Sequence, residues 1–269
     1  MIHRRPLLFT ACGLLTALAA RRVHALSDPS ELSVGGSTGA HDAHITCGPD
    51  VRVRHASGGV HYERVFEDQP GSDRGMSLDV RAGVGSTTIT GVSDYGTDQT
   101  ATALANNERD RTRVLATGQV LAGWDWRTFA LRGGLGYFGL STLSDDNRRF
   151  ETKYYPLPAL DMRIGRRSGF RGNLGAGAPP IVGMTRWYSL YGLAAYRFKE
   201  GGEVGTGLIA SFGGTLDQRV GWVFQGSVPI TEWMHVGGFG MIDADDKSKL
   251  SGFNWTAGAG VRFLLDSAD

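Results

Sequence analysis

Phe253-Asn254-Trp255-Thr256-Ala257-Gly258-Ala259-Gly260-Val261-Arg262-Phe263-Leu264-Leu265 sorts into two sets when its residues are taken two at a time. The odd set, Phe253, Trp255, Ala257, Ala259, Val261, Phe263 and Leu265, is wholly apolar, whereas the even set is led by Asn254, Thr256, Gly258, Gly260 and Arg262. Successive strand side chains point to opposite faces, so this spacing predicts a β-strand with one apolar face and one polar or bare face.

The same alternation recurs upstream. Met76, Leu78, Val80, Ala82 and Val84 interleave with Ser77, Asp79, Arg81, Gly83 and Gly85. Further apolar sets follow at Val114 to Ala122, Phe129 to Tyr137, Leu160 to Ile164, Phe170 to Ala176, Tyr188 to Phe198, Val204 to Phe212 and Val220 to Ile230, with a weaker one over 233 to 242. With the C-terminal stretch, about ten strands are expected over 75–265. Val51 to Arg54 and Val60 to Phe66, separated by Ser57-Gly58-Gly59, read as a short hairpin that would raise the count to twelve. Trp124-Asp125-Trp126 reads as a tight turn, and residues 26–50 read as a flexible segment. Long polar connections (91–112, 141–156, 178–186, 213–218 and 243–252) alternate with short ones. Aromatic residues gather at the strand ends, with Tyr137, Trp187, Tyr188, Trp222 and Trp255 on the long-connection side. Trp124, Trp126, Tyr196, Phe198, Trp233 and Phe263 lie on the other.

The C-terminal strand resembles the closing signature of bacterial outer-membrane β-barrels: a polar residue, a glycine two further on, then two apolar or aromatic residues at alternate positions. Here these are Thr256, Gly258, Val261 and Phe263. The resemblance implies an all-β, antiparallel, up-and-down transmembrane β-barrel in the envelope of a Gram-negative bacterium. Its partners would be outer-membrane lipid and the barrel insertion machinery, which reads the last strand in that family. Long extracellular loops, short periplasmic turns and aromatic girdles agree with it. Alternation alone also allows a soluble exported barrel with the apolar set turned inward.

Composition is compatible with this reading. Of 269 residues 40 are glycine, which suits crowded barrel interiors and tight turns, and the 10% of aromatic residues argues against disorder. A net charge of +1 and the lack of a basic stripe interleaved with aromatics give no argument for nucleic acid. Met1 to Arg5, the apolar run Pro6 to Ala20 and the small residues after it form a cleavable export signal over 1–25. Arg4-Arg5-Pro6-Leu7-Leu8 only loosely matches a twin-arginine signal, and Phe9-Thr10-Ala11-Cys12 only loosely a lipobox. Signal removal would leave Cys47 alone, so no internal disulfide framework is expected.

With the apolar face outward, the opposite face carries Asp79, Arg81, Arg113, Arg132, Asp161, Arg163, Arg171, Arg197, Glu203, Arg219 and Arg262. That is eight arginines against three acids. The lumen then reads either as a plug of paired arginines and carboxylates or as a narrow pore whose surplus arginines favour anions.

Chemical motifs are sparse. His55-Ala56-Ser57 resembles the His-x-Ser pair of outer-membrane lipid A deacylases, without a supporting acid in reach of the reading. His41, His44 and Cys47 lack a fourth metal ligand, and Asp243, Asp245 and Asp246 read as a solvated loop. No catalytic site, cofactor or metal is therefore expected. The expected function is a porin-like channel or a closed structural barrel acting through its loops, with an adhesin, a lipid-modifying enzyme and a soluble exported barrel as alternatives. The solute or ligand is not encoded in any motif.

Overall fold

A computed structural model describes residues 30–69, 74–94, 96–126, 128–165, 169–181, 183–184, 187–198, 201–216, 218–243 and 253–265. The expected signal over 1–25 lies outside the described residues. Twelve antiparallel strands close into a barrel: β1 (Ser30–His44), β2 (Asp50–Glu67), β3 (Arg74–Val92), β4 (Thr112–Trp126), β5 (Phe129–Leu143) and β6 (Phe150–Gly165) form one half. The other half comprises β7 (Gly169–Gly177), β8 (Tyr188–Arg197), β9 (Glu203–Phe212), β10 (Arg219–Thr231), β11 (Met234–Asp243) and β12 (Trp255–Leu264). Each strand pairs with its sequence neighbours, and β12 returns to β1 in a register running from Glu31 opposite Leu264 to Ala40 opposite Trp255. Closure leaves no unpaired edge to template aggregation.

The twelve-strand architecture is reached by a different route from the expected hairpin. Residues 50–67 are one continuous strand, and Ser57-Gly58-Gly59 lies inside it opposite Gly35, Gly36 and Ser37 of β1. Both segments are rich in glycine and serine at their centres, so the local sequence mimics a turn while the ladder on both sides keeps the chain extended. Ser30 to His44, expected to be flexible, supplies the partner strand, so the closed sheet begins at Ser30. The strands also outrun their apolar cores. β5 ends at Leu143 and β6 begins at Phe150, which confines the connection expected over 141–156 to six residues. Trp124-Asp125-Trp126 is the end of β4, not a turn, with Asp125 buried inside.

Outward-facing residues are apolar on strand after strand: Val84, Val114, Leu135, Leu174, Val204 and Phe224 are all exposed. Aromatic pairs rim the short-turn end, with ring centroids 5.6 Å apart for Trp126 and Phe129, 5.1 Å for Tyr196 and Phe198, and 6.1 Å for Trp233 and Phe263.

Strand length is uneven. β1 to β6 span 15–19 residues and β7 to β12 span 9–13, so one wall stands taller at the long-connection end. The polar stretch after β3 contains a helix, α1 (Gln99–Asn107), which begins where Asp98 accepts hydrogen bonds from the amides of Thr100 (2.8 Å) and Ala101 (3.2 Å). Ala101 and Ala105 of α1 pack on Ile45, Val51, Val53, Ile89, Phe150 and Leu216. This apolar cluster caps the mouth on that side, since closing it removes the inner ends of β2 and β3 from water.

Candidate lumen site

The eleven charged residues expected on the polar face all lie on the inner face of the barrel, seven of them fully buried. The expected surplus of arginine does not survive. Each of the eight arginines has a carboxylate partner: Arg81 with Asp79 (2.6 Å), Arg113 with Glu108 (3.0 Å), Arg132 with Glu63 (2.6 Å) and Arg163 with Asp125 (2.7 Å). Arg171 meets Glu203 (2.8 Å), Arg197 meets Glu31 (2.9 Å), Arg219 meets Asp243 (2.5 Å) and Arg262 meets Glu203 (3.3 Å). Asp161 joins them 3.7 Å from both Arg81 and Arg132 and accepts from the Tyr191 hydroxyl at 2.6 Å. The balancing acids lie in segments where the sequence predicts flexible, hairpin, turn or loop structure: Glu31, Glu63, Asp125, Glu108 and Asp243. Glu63 shares the parity of Val65 and His61 on β2, which is the one signal that could have exposed it.

Such pairing is what burial demands, because an ion taken out of water without a partner costs several kcal/mol. The network is distributed over two neighbouring groups. Asp79, Glu63, Asp125 and Asp161 surround Arg81, Arg132 and Arg163 on β2 to β6. Glu203 and Glu31 hold Arg171, Arg197 and Arg262 where β1, β7, β8, β9 and β12 meet the short-turn end.

A bare wall lies beside them. Gly83, Gly59, Gly35, Gly260 and Gly237 are consecutive register partners across β3, β2, β1, β12 and β11, and all face inward. A cavity of about 110 Å³ remains between Gly260 and Gly237 at one end of this row, Pro180 and Ile181 of the connection after β7, and the ion pairs. It falls short of the roughly 300–1,000 Å³ of pockets that bury organic ligands.

The connection after β7 is not an external loop. It enters the lumen as a strap. The Ala178 amide donates to Gln119 Oε1 at 2.7 Å and its carbonyl accepts from Arg81. Ile181 and Met184 are buried against Leu193, Ile209, Val223, Phe239 and Met241. Gly183 has φ +87° and its α-carbon faces the backbone of Gly36, where a Cβ would stand 2.9 Å away. Its carbonyl oxygen lies 3.0 Å from the hydroxyls of both Ser37 and Ser57, which are 2.7 Å from each other. Trp187, expected in the outer aromatic girdle, is corrected by the same observation. It is buried inside, edge-on to His55 (4.8 Å) and His41 (6.2 Å) and beneath the Arg219 guanidinium (5.3 Å). The apolar periodicity of β8 starts only at Tyr188, so Trp187 belongs to the strap and follows it inward.

The sparse chemical motifs come apart in space. His55 and Ser57 both face inward, but His55 Nε2 sits 3.1 Å from Thr256 Oγ1, and Ser57 is engaged with Ser37 and Gly183. Among the described residues the two side chains are hydrogen-bonded to other groups and not to each other. His41 is buried with Nε2 3.0 Å from the Leu216 carbonyl, His44 bonds Asp50 at 2.8 Å on the outside, and Cys47 is exposed, so these three do not converge on an ion. His61, Glu63 and Asp79 bring three ligand atoms within 4.8 Å of one another. There Arg81 and Arg132 already occupy the carboxylates, and a cation would have to displace them. Of the C-terminal signature, Thr256 and Gly258 face inward, and Phe263 stacks on Trp233 at the short-turn rim. Asp245 and Asp246 lie outside the described residues.

No family model matches the chain, and no curated protein matches it. Among solved structures, the fold is similar to that of an outer membrane channel from Pseudomonas putida F1, with a TM-score of 0.56 and 11% identity, over 91% of this chain and 98% of that one. A second match is the transport unit of the autotransporter AIDA-I from Escherichia coli, with a TM-score of 0.22 and 9% identity, over 97% of this chain and 99% of that one. At such identities the first likeness is one of fold, a closed up-and-down barrel.

Proposed function

We propose that this protein is an integral outer-membrane β-barrel whose lumen is closed in its resting state. The observation that carries this is the inversion of polarity across one sheet: an exposed apolar exterior over β3 to β11 surrounds an ionic interior in which each of the eight arginines meets a carboxylate. In water the exterior would be an aggregation hazard, since soluble monomers rarely expose apolar patches beyond a few hundred Å². In a bilayer it is the lipid-facing band, and the aromatic rims are its interfacial girdles. Outer-membrane lipid is then the immediate partner. Thr256, Gly258, Val261 and Phe263 would be presented to the insertion machinery before β12 closes on β1.

Heat-modifiable mobility tests the membrane half of this reading. Unboiled and boiled samples of an outer-membrane fraction should migrate differently in SDS. Recovery of the protein in the soluble periplasm with no mobility shift would overturn it.

A second reading, a porin-like channel that opens when the strap moves, is supported by two observations. Among the described residues the strap meets the barrel through hydrogen bonds at Ala178 and Gly183, and the fold is similar to that of an outer membrane channel. In planar bilayers the closed reading expects a flat baseline for the unaltered protein, and the gated reading expects infrequent steps that become sustained when residues 178–187 are shortened. An enzymatic role has no assembled dyad to rest on, and an adhesive role would have to come from the connections at the long end.

A further inference from the structure

We infer that the outer wall of the barrel between β4 and β5 seats one molecule of outer-membrane lipid, with an acyl chain in a groove beside Gly118 and the polar head against the strand edge above it. The inference rests on the membrane reading of the exterior and gives that exterior one specific site.

The closed sheet is continuous through the apolar band, but above it one ladder ends early. β4 and β5 pair from Asp125 opposite Ala130 to Gly118 opposite Tyr137, and no further among the described residues. Those eight pairs come close to the about 9–11 residues with which a strand crosses a bilayer, so the ladder stops at the outer edge of the band. An open edge inside the hydrocarbon would leave amides and carbonyls unsatisfied. Both strands stay paired on their other sides, Ala116 opposite Val84 and Thr112 opposite Thr88, Phe138 opposite Tyr155 and Leu143 opposite Phe150. The upper end of β5 turns instead to the connection after β9. There the Ser141 amide donates to the Gly213 carbonyl at 2.9 Å, and the Thr215 amide donates to the Ser141 carbonyl at 3.0 Å.

The edge of β4 left behind is Thr112, Val114 and Ala116. Both backbone groups of a residue in an antiparallel strand point to one side, and the side alternates along the strand. The Val114 carbonyl marks the side that faces the gap, because it accepts from the Tyr154 hydroxyl across it at 3.4 Å. Tyr154 lies over Gly139, where a Cβ would meet its ring at 2.8 Å, and stacks on Tyr137 at 5.4 Å. A long hydrogen bond and a ring pair thus span the gap on the outer face.

Below the gap, Val80, Ala82, Gly118, Val120, Leu135 and Tyr137 line a groove of about 390 Å³. This lies within the roughly 300–1,000 Å³ of sites that hold organic molecules. Gly118 makes the space: it stands between Ala82 and Tyr137 in the register, and a Cβ there would meet nothing within 4 Å. Ala116 is two residues further along β4, about 7 Å away. A molecule with its chain in the groove therefore has its polar end beside the Ala116 amide and carbonyl, which have no ladder partner. The occupant that fits is a lipid amphiphile, because the groove is continuous with the lipid-facing band and the hydrogen-bonding groups gather at its upper end only.

Native mass spectrometry of the detergent-purified barrel, titrated with dilauroyl phosphatidylethanolamine, tests the site. One saturable adduct is expected. Gly118→Leu fills the groove and should weaken that adduct on the order of tenfold, the effect of keeping about two methylenes out of an apolar site. Gly133→Leu places the same side chain on the same outer face but outside the groove, where a Cβ likewise meets nothing within 4 Å, and should leave the adduct unchanged. If Gly118→Leu does not fold, Ala82→Leu on the adjoining strand is read in its place. Adducts that grow without saturation, or that the groove-filling variant leaves as they are, overturn the site. Heat-modifiable mobility of the same samples separates the two readings: a shift without a saturable adduct removes the site and leaves the membrane barrel, whereas no shift removes both.

Discussion

The hydroxyl of Ser57 lies 3.0 Å from the carbonyl oxygen of Gly183, across 126 residues of sequence, and Ser37 reaches the same oxygen at the same distance. One hydrogen apiece means that one hydroxyl donates to the carbonyl while the other is shared between the pair and that oxygen. This contact fastens the strap to the bare side of the lumen. Small residues on β1 allow it, because the strap runs against the Gly36 backbone, 2.9 Å from where a Cβ on Gly183 would stand.

Gly183→Ala should loosen the strap. An L-residue pays about 1–2 kcal/mol in the left-handed conformation, and the new Cβ would meet the Gly36 backbone at 2.9 Å. The expected outcome is a modest fall in unfolding midpoint together with more frequent openings in planar bilayers. Unchanged current with a lowered midpoint would mean that the strap is structural only.

Breaking the internal network should cost more than breaking a surface pair. Glu63→Ala removes the shortest of the carboxylate contacts to buried Arg132, leaving Asp79, Asp161 and Asp125 at 3.5–3.9 Å, and the expected loss is about 1–3 kcal/mol. Glu151→Ala removes the partner of Arg149, whose side chain is 70% exposed, and should cost under about 1 kcal/mol. Urea unfolding in lipid vesicles measures both, and equal effects would contradict the burial.

Leu135→Arg places a charge on the apolar exterior at a position 65% exposed. In a bilayer near the midplane this should cost about 2–4 kcal/mol. On a protein surface in water the same change should be near neutral. Folding yield and stability in vesicles distinguish the two, and a neutral result would argue against lipid contact.

Phe263→Ser removes the ring stacked on Trp233. The direct loss of the aromatic pair is about 0.5–1.5 kcal/mol beyond buried area. A role in recognition by the insertion machinery predicts a larger effect in cells than in the test tube. Comparing outer-membrane abundance with refolding into vesicles reads that difference, and parallel losses would leave Phe263 a rim residue alone.

The sequence by itself determined which residues face which way. Strand parity is local: a residue and its second neighbour share a face whatever the rest of the chain does, so the eleven inner charges and the apolar exterior were legible from alternation. Pairing was not. Whether Ser57-Gly58-Gly59 bends or continues depends on β1 lying beside it, and nothing within β2 distinguishes the two. Which carboxylate meets Arg132 depends on Glu63 arriving from 69 residues away, so a count made strand by strand found a surplus of arginine where closure leaves balance. The strap was hidden for the same reason. Ala178 to Trp187 has no period to read, and only the closed barrel brings Leu193, Ile209, Val223 and Phe239 together as the surface on which Ile181 and Met184 settle, with His41 and His55 beside Trp187.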